Sequence, residues 1–219
     1  MNSNRAEERE YMVKTQIQAR GVRNESVLHA MNKVPRHLFV PEESAREAYQ
    51  DYPLSIGNGQ TISQPYIVAL MTELLDPQSG DLILEIGSGS GYQAAILAAC
   101  KARVITIERI REVAARAEQN LKQAGVTGVT VLTGDGTTGY PENAPYDRVL
   151  ITAATPRIPP PLVDQLAEGG YLVAPEGDRD IQQLVRLKKN RDEISIERFG
   201  TVRFVPLLGR YGWNKDEEN

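Results

Sequence analysis

The segment Leu82-Ile83-Leu84-Glu85-Ile86-Gly87-Ser88-Gly89-Ser90-Gly91-Tyr92 constrains the fold more than any other part of the chain. An apolar run ends in three glycines on alternate positions and passes into an Ala/Leu-rich stretch, so the backbone has to turn sharply from a buried strand into a helix. The same alternation recurs downstream. It predicts strands at 82–86, 103–107, 129–132, 147–152 and 170–174, with helices near 91–100, 110–124 and 159–168. Short apolar strands separated by helical stretches are the signature of a doubly wound parallel sheet covered on both faces. Beyond Gly177, residues 181–187 and 194–205 read as two further strands with no long helix between them, which predicts an antiparallel pair at one edge.

Upstream of the glycine loop the text is different. Residues 5–20 are charged with scattered apolar positions, and Val27, Leu28, Met31 and Val34 recur at helical spacing, so the chain opens with helices. Residues 49–63 carry turn-formers without a helical stripe and predict a loop or short extended segment. Ser63 stands where an N-cap belongs, Pro65 suits a first turn, and Ile67, Leu70, Met71, Leu74 and Leu75 form one apolar face of the helix that follows. Pro159-Pro160-Pro161 is a stiff turn suited to opening a helix, and the acidic tail Asp216-Glu217-Glu218 is expected to fray. With 219 residues the chain can bury one substantial core. It is read as one domain: an N-terminal helical cap and loop (1–76), an α/β core (77–177) and edge strands (178–213).

Composition narrows the functional classes. No apolar run approaches the ~18 residues that span a bilayer, and Met1 to Glu8 lack the apolar core of a secretory signal, so a cytoplasmic protein without a membrane role is expected. A net charge of -4 argues against nucleic-acid binding, which needs clustered cations. The single cysteine, Cys100, reads as a small buried hydrophobe, and His29 and His37 have no companions that would make a metal site; no metal is expected.

The glycine spacing carries the chemistry. A dinucleotide loop would read G-x-G-x-x-G, whereas here the third glycine comes one residue early and Tyr92 takes its place, which disfavours NAD. A G-x-G-x-G loop preceded by an acid on the strand, Glu85, matches class I methyltransferases, whose cofactor has no phosphate to be held. Glu108 ends the next strand, 21 residues after Gly87, where a carboxylate can accept both hydroxyls of a ribose. Gly134-Asp135-Gly136 follows the third strand, where an aspartate can accept from an adenine amine beside a thin glycine wall. Alone, the loop could be a tight strand-helix turn, Glu108 a solvated helix start and Asp135-Gly136 an ordinary turn. All three fall at successive strand ends of one sheet.

With these residues in hand, the chain resembles the protein-L-isoaspartate O-methyltransferases from about Tyr11 to Tyr211. The likeness rests on Val34-Pro35-Arg36-His37-Leu38-Phe39-Val40-Pro41, on Gly59-Gln60-Thr61-Ile62-Ser63-Gln64-Pro65 and on the glycine loop through Gln93. It continues through Ala144-Pro145-Tyr146-Asp147, Thr152-Ala153-Ala154 and Arg203-Phe204-Val205-Pro206-Leu207. The glycine loop indicates a methyltransferase; the Thr61-to-Pro65 block points to this family. The resemblance implies a monomeric enzyme that passes the methyl of S-adenosyl-L-methionine to the α-carboxylate of L-isoaspartyl residues in damaged proteins and peptides. The ester then closes to a succinimide. It implies an active-site serine at Ser63 and a substrate groove at Thr61, Ile62, Val205 and Pro206. For the cofactor it implies Gln60, Glu85, Gly87, Ser88, Gly89, Gly91, Glu108, Arg109, Asp135 and Gly136. One departure is Glu176, where the family more often has a small apolar residue; an inward carboxylate would repel an anionic substrate, so it is expected to point outward. Competing readings are a methyltransferase acting on RNA or a small molecule, a cofactor-binding module without catalysis, and an NAD oxidoreductase. Thr152-Ala153-Ala154-Thr155-Pro156 is not the N-P-P-[YF] or D-P-P-[YF] element that amine methylation would favour.

Overall fold

The structure, a computed structural model, describes residues 5–191 and 193–214. It opens with helix α1 (Ala6–Met12), continued by a π turn at Val13–Ile17 and a 3-10 turn at Gln18–Arg20, which stops at Gly21 in the left-handed region (φ 103°). Helix α2 (Glu25–Lys33) starts on Asn24, whose side chain accepts from the N–H groups of Ser26 and Val27. A hairpin of β1 (Leu54–Gly57) and β2 (Gln60–Ile62) leads into α3 (Pro65–Leu75). Then come β3 (Leu82–Ile86), α4 (Tyr92–Ala99), β4 (Arg103–Glu108), α5 (Arg111–Gln123), β5 (Val129–Thr133) and β6 (Tyr146–Ile151). The order closes with α6 (Pro160–Asp164), β7 (Leu166–Gly177), β8 (Gln182–Asn190) and β9 (Glu193–Val202).

The seven long strands form one sheet in the order β5-β4-β3-β6-β7-β8-β9. Pairs from β5 to β7 are parallel, and β7-β8 and β8-β9 are antiparallel, so the doubly wound sheet with its antiparallel edge is as the sequence predicts. Strand order reverses between β3 and β6. In an open α/β sheet a crevice opens there, outside the carboxyl ends of the strands. The unbroken apolar runs are explained by burial on both faces: Leu84, Val149 and Leu172 pack to one side, while Ile83, Leu150 and Val173 meet Met71 and Leu75 of α3 on the other. The N-terminal helices add a third apolar cluster over α4 and α5, in which Cys100 is a buried member as expected. Among the described residues no helix is long and apolar enough to cross a membrane.

The loop or short extended segment expected at 49–63 contains the β1–β2 hairpin. Three local expectations change. Ser63 is not the N-cap of α3: that place belongs to Gln64, with no side-chain cap. Pro65 at the first helical position drives the residue before it into extended backbone, which moves the cap one residue on. The helix predicted at 159–168 ends at Asp164, because Leu166 already pairs with Tyr146 and the strand runs through Gly169-Gly170. A side chain at Gly170 would sit 2.8 Å from the Asp147 carbonyl oxygen, so that glycine serves close strand contact, while Gly169 beside it takes left-handed backbone at φ 77°. The last strand stops at Val202 because the Phe204 N–H is taken by the buried Gln182 side chain at 2.9 Å. Residues 205–207 then cross to Ala154, which donates to Val205 O at 2.8 Å and accepts from Leu207 N at 2.7 Å. The acidic tail at 216–218 lies outside the described residues.

Leu84 is fully buried at the centre of the sheet. Its replacement by Ala is expected to lower unfolding free energy by about 2–5 kcal/mol with the urea dependence retained. A loss below about 1 kcal/mol would contradict this packing.

Candidate active site

Three hollows share walls along the carboxyl ends of β3, β4 and β6. The first is a crevice of about 270 Å³ between the hairpin tip, Asn58 to Gln60, and the strand ends at Gly87 and Glu108. The second is a narrow throat of about 60 Å³ where Thr61, Ile62 and Ser63 face the glycine loop. The third is an open groove of about 630 Å³ running from Pro53 past Thr61 and Ser63 to Arg203–Pro206. Ser63, Thr61, Thr152, Phe204 and Val205 line both throat and groove, and Gln60, Gly87, Glu108 and Val205 line both throat and crevice.

Glu108 organises the crevice. One carboxylate oxygen accepts from Gly89 N at 3.1 Å and the other from Ile110 N at 3.0 Å, which ties the glycine loop to the end of β4. A carboxylate has about four acceptor positions, so two donors leave capacity for a ligand's hydroxyls. The loop is bare by necessity. Gly87 has φ 99°, and a β-carbon there would lie 2.6 Å from Thr152 Oγ1; at Gly136 it would lie 2.5 Å from the Ile86 side chain. Ser88 turns inward, its hydroxyl sharing a hydrogen with Thr106 at 2.8 Å. Gly91 is the N-cap of α4, and Arg109 is exposed at the crevice rim. The donor set suits an adenosyl group better than a pyrophosphate, which would meet the Glu108 carboxylate and a single rim arginine.

Three predicted cofactor residues, Gly91, Asp135 and Glu85, line none of the three hollows. Asp135 does not line the crevice: its Oδ1 accepts from Thr137 N at 2.9 Å and Thr137 Oγ1 at 2.7 Å, and its Oδ2 from Arg210 N at 2.8 Å. Its carboxylate pins the C-terminal segment, while Gly136 beside it forms crevice wall. Glu85 lies beneath the loop, fully buried, and neither oxygen has a hydrogen-bond partner. Burial pushes its carboxyl up to about 8; the Thr106 hydroxyl opposes the shift and the negative Glu108 adds to it. Glu176 pairs with Thr155 and is absent from the groove lining, in keeping with an outward carboxylate. His29 is exposed and His37 bonds Tyr49 at 2.6 Å, and neither lines a hollow. Thr152, Gln64 and Phe204, named only within the family motifs, and Arg179, not named at all, line the groove without having been predicted as site residues. Thr152, whose hydroxyl donates to the carbonyls of Ile86 and Gly87, directly follows β6 and closes the strand predicted at 147–152, so the strand-end pattern already carried its signal.

Comparison with known proteins decides the family. A family profile described as Protein-L-isoaspartate(D-aspartate) O-methyltransferase matches residues 7–212. The chain belongs to that family. A protein-L-isoaspartate O-methyltransferase of Methanospirillum hungatei is 68% identical over 97% of this chain and 98% of its own. Among solved structures, a protein-L-isoaspartate O-methyltransferase superposes with a TM-score of 0.84 at 28% identity, covering 94% of this chain and 67% of that one. A Plasmodium falciparum beta-aspartate methyltransferase, crystallised with S-adenosyl-L-homocysteine, gives 0.81 at 25% identity over 91% of this chain and 98% of its own.

Glu85 sets a pH test for this family member. A carboxyl near 8 in the folded chain keeps its proton where the unfolded chain, at the ordinary 4.5, has lost it. The folded state then binds more protons, and stability falls as pH rises through that window. The Glu85→Gln protein lacks this slope, so urea unfolding should show it gaining on the parent between about pH 5.5 and pH 8. A parent-variant difference that is the same at both pH values would contradict the burial argument.

Proposed function

We propose that this chain transfers the methyl group of S-adenosyl-L-methionine to the α-carboxylate of L-isoaspartyl residues in damaged proteins and peptides, starting repair through a succinimide. The observation that carries this reading is the throat: Ser63 and Thr61 border the peptide-sized groove and also face the glycine loop. Two ligands, one in the crevice and one in the groove, would meet beside Ser63. S-adenosyl-L-methionine supplies a methyl on a positively charged sulfur, and the Plasmodium relative's S-adenosyl-L-homocysteine supports the same class of ligand here. Glu108 would accept the ribose hydroxyls, the Gly87 to Ser90 segment and Gln60 would border the remainder, and Gly136 would keep the adenine side thin.

The acceptor carboxylate is ionised at neutral pH, so no side chain has to remove a proton from it. Alignment is the task, and orientation of two bound reactants contributes about 7–11 kcal/mol. The Ser63 hydroxyl is not occupied as a helix cap. With Thr61 it would donate to the carboxylate and hold one oxygen toward the throat, with Ile62, Val205 and Pro206 as apolar neighbours. Arg179 and Arg203 line the groove with no carboxylate among the lining residues, a field that suits an anionic acceptor. We further propose that the enzyme is cytoplasmic, on its ordinary soluble composition, and monomeric, on its family resemblance.

A peptide containing L-isoaspartate should accept labelled methyl groups, while the same peptide with normal aspartate should not; equal labelling of both would reject the assignment. The Ser63→Ala enzyme should lose turnover on the order of 10²-fold while binding S-adenosyl-L-homocysteine as the parent does. Turnover within a factor of two of the parent would remove Ser63 from the mechanism.

A further inference from the structure

The hairpin that roofs the crevice is a small element. Its two strands hold four and three residues, and such a ribbon is marginal without outside support. The base is well anchored, with Leu54, Ile56 and Ile62 buried in the N-terminal core. The tip is exposed. Gly57, Asn58 and Gly59 all adopt left-handed backbone, at φ 82°, 54° and 69°, and Asn58 carries a side chain into a region that favours glycine. Yet Asn58, Gly59 and Gln60 are the residues that face Glu108 and Arg109 across the crevice.

Arg116 on α5 reaches over to this tip. One guanidinium nitrogen donates to the Ile56 carbonyl oxygen and another to Asn58 Oδ1 at 2.9 Å. Gly57 gives it room, since a β-carbon at that position would come within 3.3 Å of Arg116 Nη1. One turn further along the same helix, Asn120 Nδ2 donates to Ser90 O at 3.0 Å, on the glycine loop. Between them Ala117 packs against Gly91 so closely that a side chain there would meet its carbonyl oxygen at 3.2 Å. One face of α5 therefore holds both walls of the crevice, the roof through Arg116 and the loop through Ala117 and Asn120.

We infer that Arg116 is a positioning residue for the methyl transfer: it fixes the hairpin tip over the crevice and so sets how long the cofactor and its product stay bound. This rests on the reading of the crevice as the cofactor site. Arg116 does not line the crevice, so its action passes through the tip. Lysine at this position cannot reproduce it, because one ammonium lacks the fixed fork that serves two acceptors at once.

The test is the binding and release of S-adenosyl-L-homocysteine by the full-length protein, followed by calorimetry and by displacement kinetics. Arg116→Met should weaken binding about tenfold, with the change residing in the dissociation rate. KM for S-adenosyl-L-methionine should rise by a similar factor, while KM for an isoaspartyl peptide at saturating cofactor and the melting temperature of the ligand-free protein stay near parental values. Arg116→Lys should fall between parent and Met, and it carries the test if the Met variant fails to fold. Dissociation as slow as the parent's in a variant whose ligand-free melting temperature has dropped would make Arg116 a purely structural residue and overturn the inference. If the parent itself does not bind S-adenosyl-L-homocysteine, the cofactor reading fails instead.

Discussion

Glu108 is held at the end of β4 by two backbone donors, Gly89 N on one carboxylate oxygen and Ile110 N on the other. That pair of bonds joins the glycine loop, which belongs to the β3–α4 connection, to the start of the α5 connection, and so sets the spacing of two adjacent strand ends. An almost buried carboxylate is costly unless it accepts hydrogen bonds, and here the donors are main-chain groups that the turns would otherwise leave unpaired. The rest of the site is arranged around this fixed acceptor. The hairpin tip faces it across the crevice, the throat begins at its side, and the C-terminal segment Val205–Pro206 closes the far wall.

The second carboxyl on the sheet, Glu85, has the opposite surroundings. It shares the low-dielectric interior with Glu108 but has no hydrogen-bond partner, and its carboxyl is pushed up to about 8. The two acids divide the work by environment: Glu108, supplied with donors, is the acceptor presented to the crevice, while Glu85 is a buried group beneath the loop. Proximity of like charges reinforces the division, because ionising one raises the cost of ionising the other.

What could be read from the sequence followed from how local the cause is. The parallel strands were legible because burial on both faces writes an unbroken apolar run into five or six consecutive residues, and the glycine loop because its conformation is dictated by the glycines themselves. Glu108 was legible through its distance from that loop. The hold of Asp135 on the C-terminal segment was not legible, because the partner that claims its Oδ2, Arg210 N, lies 75 residues away and leaves no local trace. Ser63 was assigned a cap that Pro65 shifted to Gln64. The helix at 159–168 is shorter than expected because its last predicted turn is taken by β7, whose close approach to Asp147 requires glycine at position 170. Arg116 left no signal at all, since an arginine on the polar face of an amphipathic helix looks like any solvated residue until the hairpin is seen beneath it.

The site therefore combines a stiff floor of strand ends with a light roof, and the proposed methyl transfer requires both ligands to meet at the throat beside Ser63. A crystal structure of the protein with S-adenosyl-L-homocysteine and an isoaspartyl peptide tests this most directly. The account predicts ribose hydroxyls on the Glu108 carboxylate, the sulfur facing the throat, and the peptide's α-carboxylate within hydrogen-bond reach of Ser63 Oγ. A homocysteine sulfur turned away from Ser63, or a peptide bound outside the groove between Thr61 and Pro206, would contradict it.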